Sequence, residues 1–519
     1  MDLFHKIDIR RVVMRRIKAR AKWFLPFVAL LLVLAGCQSV GGFDVNKALI
    51  GDLDVKSLES SLKFSMNAEP VVGISAEDKE MVDLINSFSL NISNAKLQEN
   101  GDLSAKGTIG YKKLDIPFAL FMDKQALVFT VEGAKQPFYF PIEGYDEIFG
   151  EVGLDMTKAE DLNKLLTKFV VKNLPNPGAI SITAVSEAVY GEQVNMTKLH
   201  TEVTGDELPA LLKGFLKSIS KDAEGFTELV GGLYDYLYPV VKALNEKESG
   251  DFLDLGFGEI PLNDKEAVVT VVHDAAKLAV DALLLVYDNQ LNSLYKSTPE
   301  LKTVLSKDTK LAVDIFVDSG LHVRKQNVDL KVALPGTKDV PLKSFSLKSE
   351  SQVWNIGGSV TADSISTKGA LDISSSELTP GETLRNFDAG SDVYRILKED
   401  LGITKKTIVI EPEDEYYYPI VDKNITYIPL RYLAEDLDAT VEWDAVNRAI
   451  NVIDNEYGDK LVFKIGSSEA LINGEKVKLT KPVFVDEYGD AYVSLRLLAE
   501  SLHATVTVDA DGWITVERK

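Results

Sequence analysis

Cysteine occurs once in the 519 residues, at Cys37. A disulfide framework and a thiolate metal site are both excluded, because each needs a second thiol. Histidine is nearly as scarce: His5, His200, His273, His322 and His503 are far apart, and no pair has His-x-His or His-x3-His spacing. A copper or zinc site would have to be assembled from distant elements, so these histidines are read as structural or surface groups. There is no G-x-S-x-G elbow and no G-x-x-x-x-G-K loop, and Gly256-x-Gly258 meets Pro261 where a dinucleotide loop needs its third glycine. Positive charge is also in deficit, with 57 Lys and Arg against 79 Asp and Glu, a net −22. Residues 1–36 hold eight of the basic residues against Asp2 and Asp8, which leaves −28 for the remainder. Such a field repels nucleic acid and anionic headgroups. No cofactor, no metal and no catalytic residue is expected, and an enzyme ranks last among the readings. Apolar runs of bilayer length are missing too. The stretch Trp23–Leu34 is too short to span. Ala267–Tyr287 is interrupted by His273, Asp274, Lys277 and Asp281, so it reads as a helix buried in protein.

What is present begins with order at the N-terminus. Arg10, Arg11, Arg15, Arg16, Lys18, Arg20 and Lys22 precede the apolar run, and Leu34-Ala35-Gly36-Cys37 follows it. This arrangement resembles a bacterial lipoprotein signal with its lipobox. The resemblance implies cleavage before Cys37, a diacylglyceryl group on that cysteine, and retention on the extracellular face of the cytoplasmic membrane. Two acyl chains hold stably where one holds marginally.

Beyond a tether over residues 37–60, period-two alternation sets in. Leu62, Phe64 and Met66 share a face, as do Phe88, Leu90 and Ile92. Asn100-Gly101 signals a type I′ hairpin into Leu103, Ala105, Ile109 and Tyr111. Phe118, Leu120 and Met122, then Leu127, Phe129 and Val131, extend an antiparallel meander with one buried face. A helix is expected over about 156–172, ending near Pro175 and Pro177, and then a strand pair from Ile180 to Val203. Leu208, Leu211, Leu212, Phe215, Leu216 and Ile219 switch to helical spacing, with Pro209 in a first turn. Asn263 with Glu266 predicts a capping box for a helical stretch reaching about Leu305. Alternation resumes at Leu311, turns at Asp318-Ser319-Gly320, and runs through Val328–Leu334; Phe345, Leu347 and Val353 suggest a last hairpin. The fold class is α+β: a large curved antiparallel sheet packed on a helical middle, over residues 61–375. It is either one domain or two subdomains sharing helices 206–305. In outline it is similar to half-barrels that sequester acyl chains, an analogy of architecture alone.

After a helical linker over 376–405, two stretches match at an offset of 65 residues. Tyr427-Ile428-Pro429-Leu430-Arg431-Tyr432-Leu433-Ala434-Glu435 corresponds to Tyr492-Val493-Ser494-Leu495-Arg496-Leu497-Leu498-Ala499-Glu500. Each unit reads as strand, short helix, strand. Leu430, Leu433, Ala434 and Leu437 form an apolar stripe repeated at Leu495, Leu498, Ala499 and Leu502. Pro429 suits the first helical position, and Ser494 can cap the same place in the second copy. Residues 406–519 resemble the copper amine oxidase N-terminal-like domain, or stalk domain, of Gram-positive surface proteins. Ile472-Asn473-Gly474 fits that family's turn before a short strand pair. Where the family has glycine, this chain has Asp438 and His503, residue types that tolerate a left-handed helix end. The family tryptophan stands at Trp443 but is replaced by Val508 in the second copy. The copper and quinone of the oxidases belong to a separate catalytic domain, so the resemblance implies a non-catalytic extension or binding module.

Arg431, Glu435, Trp443, Arg496 and Glu500 are the candidate repeat-face residues. The two Arg–Glu pairs are either exposed i,i+4 ion pairs or a repeated ligand clamp. Tyr416-Tyr417-Tyr418 read as alternating strand positions, with stacking on a glycan as the functional alternative. Asp486, Glu487 and Asp490 around Gly489 read as a hairpin turn, since calcium-loop spacing is missing. The sequence thus describes a non-catalytic, lipid-anchored surface protein whose C-terminal module extends from the membrane or contacts wall polymer or another surface protein. The alternative is a carrier of lipid or another apolar ligand.

Overall fold

The computed structural model describes residues 45–142, 156–247, 263–374 and 378–519. Leu34, Ala35, Gly36 and Cys37 lie outside these residues, as does Gly256-x-Gly258. The chain forms two compact units. Elements are numbered in chain order.

The first unit runs to Leu127 and resumes over Pro141–Ser364. Its strands are β1 (Leu58–Pro70), β2 (Ser89–Leu97), β3 (Leu103–Tyr111), β4 (Leu114–Met122), β7 (Ala179–Val189), β8 (Glu192–Thr204), β9 (Lys310–Asp318), β10 (Val323–Ala333) and β11 (Leu342–Trp354). They lie in the order β4-β3-β2-β1-β11-β10-β9-β8-β7, with antiparallel pairing throughout. The alternation in the sequence becomes one apolar face by register. Phe64 lies opposite Leu90, Leu90 opposite Ile109, Leu347 opposite Leu330, and Leu330 opposite Leu311. Register shifts between Ser60/Leu62, Ile92/Asn94 and Val323/Lys325 put bulges in this sheet, and bulges bend and twist strands. The helices are α1 (Val45–Gly51), α2 (Ala76–Ser87), α3 (Met156–Asn173), α4 (Leu208–Ile219), α5 (Ala223–Lys247), α6 (Lys265–Ser297) and α7 (Leu301–Val304). Ala48 of α1 and Leu211 of α4 join Leu199, Leu311, Val313, Ile315 and Leu330 in a buried core over β8–β10. The continuation of that face on β11 and β1–β4 is covered less: Leu62, Phe64, Met66, Leu90, Ile92 and Phe118 are half-buried.

Several local expectations change. The β2–β3 hairpin forms, but not through a type I′ turn. The Gly101 N–H bonds Gln98 O, the Gln98 N–H bonds Asp102 O, and within the turn Gly101 alone has positive φ. That is a three-residue loop with glycine in the left-handed place. The cap of α6 is Asp264, whose carboxylate accepts from Ala267 N at 3.1 Å, rather than Asn263. The last alternating stretch is a single strand, β11, paired on both sides, rather than a hairpin. The α6 run is not buried: of its side chains Val268, Val269 and Tyr287 are buried, while Leu278 and Leu285 are 72% and 87% exposed. Leu278 and Leu285 share their side of the helix with Asp274 and Asp281, at spacings of four, three and four residues, so that side faces solvent. Among the described residues no helix is long and apolar enough to cross a membrane. A helix, α1, and a short 3-10 turn at Asp52–Asp54 stand within the stretch read as tether.

The second unit combines residues 128–140 with 365–519. It contains most of β5 (Ala126–Val131) and β6 (Phe138–Pro141), then β12 (Leu371–Asp372), α8 (Pro380–Arg385) and α9 (Asp392–Arg395). Phe138 stacks on Phe129 and packs on Phe387. Then come β13 (Lys406–Ile410), β14 (Ile420–Asp422), β15 (Ile425–Pro429), α10 (Leu430–Asp436), β16 (Ala439–Asp444), β17 (Ala449–Asp454) and β18 (Lys460–Lys464). The chain finishes with β19 (Glu469–Ile472), β20 (Glu475–Lys478), β21 (Phe484–Val485), β22 (Ala491–Ser494), α11 (Leu495–Ser501), β23 (Ala504–Val508) and β24 (Ile514–Arg518). Both repeats are strand–helix–strand: β15–α10–β16 and β22–α11–β23. They meet across the antiparallel pair β15–β22, where Ile428 faces Val493, Tyr427 faces Ser494 and Pro429 faces Tyr492. With the offset of 65, this pairing maps onto itself, so an internal two-fold passes between Ile428 and Val493. Each helix therefore packs against the other copy's strand as well as its own. Both apolar stripes are fully buried in one core with Ile410, Phe463 and Val516. Pro429 and Ser494 occupy the N-cap positions, but the Ser494 side chain makes no capping bond. Asp438 and His503 end the helices with φ of 62° and 59°.

A buried ionic network ties the segment before β13 to this domain. Arg518 donates to Leu437 O at 2.5 Å, to Asp454 at 2.8 Å and to Glu456 at 3.3 Å. Lys398 donates to Glu456 at 2.5 Å, and Gly381 N donates to Asp438 at 2.7 Å. A side chain at Gly381 would strike Glu456 N and the Asp438 carboxylate, which explains a glycine there. Residues 378–400 are thus part of this unit rather than a free linker.

Candidate binding groove in the C-terminal domain

The internal two-fold creates a groove of about 360 Å³ that belongs to both copies. The first copy contributes Arg431 of α10, Trp443 of β16 and Arg448 of the β16–β17 turn, with Leu430 behind; the second contributes Val485 and Asp490 from the β21–β22 hairpin. Trp443 is 51% exposed although it follows buried Val441 by two residues on the same face of β16 and lies opposite buried Ile450. It stands next to the last residue of the strand, where the buried pattern stops.

The charged groups differ in how far they are committed. Arg431 Nη1 donates to Glu435 at 2.7 Å and to Val441 O at 3.2 Å. Arg496 repeats this geometry, donating to Glu500 at 3.4 Å and to Val506 O at 3.2 Å. In both copies the arginine fastens a helix to the strand that follows it. Arg448 is different. It lies in a turn at φ 50°, is exposed, and makes no side-chain hydrogen bond or ion pair among the described residues. Asp490 accepts from the Tyr432 hydroxyl at 3.3 Å, and its backbone N–H donates to Asp486 at 2.9 Å. Burial, and then the Asp490 charge, push the Tyr432 hydroxyl above its ordinary range. Burial and the Asp486 and Asp490 charges push Tyr492 up to about 12.

Aromatic rings continue from the Asp490 side. Tyr416 stacks on Tyr432 with centroids 5.3 Å apart, and Tyr488 in the same hairpin turn is 84% exposed. Tyr416, Tyr417 and Tyr418 form a turn rather than alternating strand positions. Asp414 accepts from Tyr416 N and Tyr417 N at 2.9 and 2.8 Å, and Tyr418 has φ 41°. An aspartate that bonds its own following backbone competes with a strand ladder, and here it prevails.

Of the sequence-selected residues, the groove brings together Arg431 and Trp443; Arg496 and Glu500 lie in the other copy, off it. Arg448 escapes sequence reasoning because its counterpart at the repeat offset is Trp513, so comparison of the copies gives no signal. The described histidines each pair with a carboxylate: His200 with Asp314 and His503 with Asp459 at 2.7 Å, His322 with Asp52 at 2.9 Å, His273 with Asp274 at 3.0 Å. No cluster of three or more metal-ligating side chains is found among the described residues. A second opening, of about 510 Å³, lies between α3, α5 and α6 and is lined by Glu228, Asp235, Lys265 and Glu266 among others. Those charges make it a poor seat for an apolar ligand.

Residues 412–516 match the copper amine oxidase N-terminal domain family, about a fifth of the chain. That domain is the non-catalytic, stalk-like part of those oxidases. No curated protein matches the chain.

Proposed function

We propose that this is a non-catalytic surface protein, anchored through a diacylglyceryl group on Cys37 at the extracellular face of the cytoplasmic membrane. Its C-terminal domain binds cell-wall polymer. The observation that carries the binding role is the composite groove, which brings an exposed indole and an uncommitted guanidinium together in one concavity. The order of basic, apolar and small residues before Cys37 supports the anchor. The test is co-sedimentation of residues 38–519 with purified wall sacculi. Retention that disappears when residues 378–519 are removed is expected; a protein that stays in the supernatant overturns the wall-binding role. Replacing Cys37 by Ser should release the protein from the membrane fraction.

One observation favours a second reading. The half-buried apolar face on β11 and β1–β4 offers Phe64, Leu90 and Phe118 to an acyl chain or similar ligand. Native mass spectrometry of residues 38–519 with lipid extraction tests it: a reproducible bound lipid supports carriage, and a clean apo mass removes it.

A further inference from the structure

We propose that the groove between Trp443 and Asp490 binds one saccharide unit bearing a single acidic group, with its ring against the indole and its carboxylate on Arg448. The proposal rests on the wall-binding reading and assigns it a site and a ligand class. A half-exposed tryptophan beside buried Ile450 and Leu430 offers a flat apolar surface, which fits the C–H face of a sugar ring better than a bulky aliphatic side chain. Arg448 supplies donors that nothing in the described protein uses, and a guanidinium pairs best with a carboxylate. Asp490 lies across the groove as an acceptor for sugar hydroxyls; among the described residues its side chain accepts from Tyr432 alone, at 3.3 Å. A volume of about 360 Å³ lies at the small end of small-ligand sites, roughly 300–1,000 Å³.

Charge narrows the class. Glu442 and Asp444 flank Trp443 in sequence, Asp486 and Glu487 shortly precede Asp490, and Arg431 is already paired with Glu435. A polyphosphate or a densely charged polyanion would be repelled, whereas one carboxylate per unit meets one free cation. The pseudo-symmetric place in the second copy has Val508 for Trp443 and Trp513 for Arg448, so it lacks the cation. One site per chain follows, despite the repeat.

The test is calorimetric titration of residues 38–519 with three disaccharides: N-acetylated hexosamines carrying a lactyl-ether carboxylate, a uronate-containing disaccharide, and neutral chitobiose. Binding of an acidic disaccharide at one site per chain, at least tenfold tighter than chitobiose, is expected. Preference for the lactyl-ether compound points to wall glycan, and preference for the uronate points to another surface polysaccharide. Trp443→Ala and Arg448→Ala should each weaken binding at least tenfold without shifting thermal unfolding, whereas Trp513→Phe should leave it unchanged. Equal binding of chitobiose, two sites per chain, or indifference to both substitutions overturns the proposal. If Trp443→Ala/Arg448→Ala still sediments with sacculi, the groove assignment fails while wall binding stands. If the parent chain ignores sacculi yet binds the acidic disaccharide through Trp443, the groove stands and the wall reading fails.

Discussion

Asp438 and His503 hold equivalent positions after α10 and α11, yet their side chains are used very differently. Both residues pass through the left-handed region, which glycine adopts without strain. Asp438 also accepts from Gly381 N at 2.7 Å and from Asn455 Nδ2 at 3.2 Å, all of it buried. His503 contacts Asp459 and the Tyr457 ring at the surface. Asp438→Gly should therefore destabilise the second unit by roughly 1–3 kcal/mol despite the relief of backbone strain, because it strands buried donors. His503→Gly should stay within about 0.5 kcal/mol of the parent. Denaturant unfolding followed by Trp443 and Trp513 fluorescence separates the two, and equal losses would contradict this assignment. That the two residues end helices was legible from the resemblance, which has glycine at both places. That one of them holds a distant segment was not, since 57 residues separate Gly381 from Asp438. Arg518 is a stronger case of the same kind. Nothing around it in sequence marks it as buried, yet it anchors Leu437, Asp454 and Glu456. Arg518→Leu should cost about 3–5 kcal/mol, because Asp454 remains buried without its cation and Glu456 keeps Lys398 alone. A loss below 1 kcal/mol in the same assay would show that solvent reaches the site.

At the scale of elements, periodicity did most of the work. The strands of the first unit follow from period-two alternation and the two helices of the repeat from their apolar stripes, because burial on one side imposes those periods. What periodicity left open was how elements begin and turn. Asp264 rather than Asn263 caps α6, and the β2–β3 loop takes its shape from a single left-handed glycine; both are choices between neighbouring residues of similar propensity. The pairing of β15 with β22, and hence the composite groove, was equally invisible, since the match of two copies does not say whether they meet. The conserved geometry of Arg431 and Arg496 shows what repetition preserved. If each arginine fastens helix to strand, Arg431→Ala and Arg496→Ala should each cost about 1 kcal/mol, most of it from the carbonyl bond. Glu435→Ala and Glu500→Ala should change stability by no more than about 0.5 kcal/mol, as both pairs are solvent-screened. Thermal unfolding of the four variants checks this; a larger loss on removing the glutamates would restore the ion pair as the main contact.

For the whole molecule, the division of the chain differs from the one its linker-like composition suggests. The second unit takes in residues 128–140 and everything from 365, so its stability depends on residues well outside the 412–516 family match. Lys398 is the clearest example. Burial works against its charge, but hydrogen bonds to Glu456 and Tyr457 outweigh that, and its pKa rises above the ordinary 10.5. A fragment of residues 406–519 loses Lys398 and the Gly381 N–H, leaving the buried Glu456 with Arg518 alone among these partners. It should unfold at lower denaturant than a fragment of residues 378–519, by roughly 1–3 kcal/mol at pH 7. The pH dependence identifies the cause. A group whose folded pKa is raised contributes fully below its unfolded value and loses that contribution as pH climbs through the folded one. The advantage of the longer fragment should therefore be constant through neutral pH and shrink once pH passes about 10.5. Tyr417, Tyr432 and Tyr492 are raised as well, but both fragments contain them, so their alkaline loss cancels in the comparison. An advantage that persists undiminished in strong alkali would assign the difference to apolar packing of α8 and α9 rather than to the Lys398–Glu456 pair.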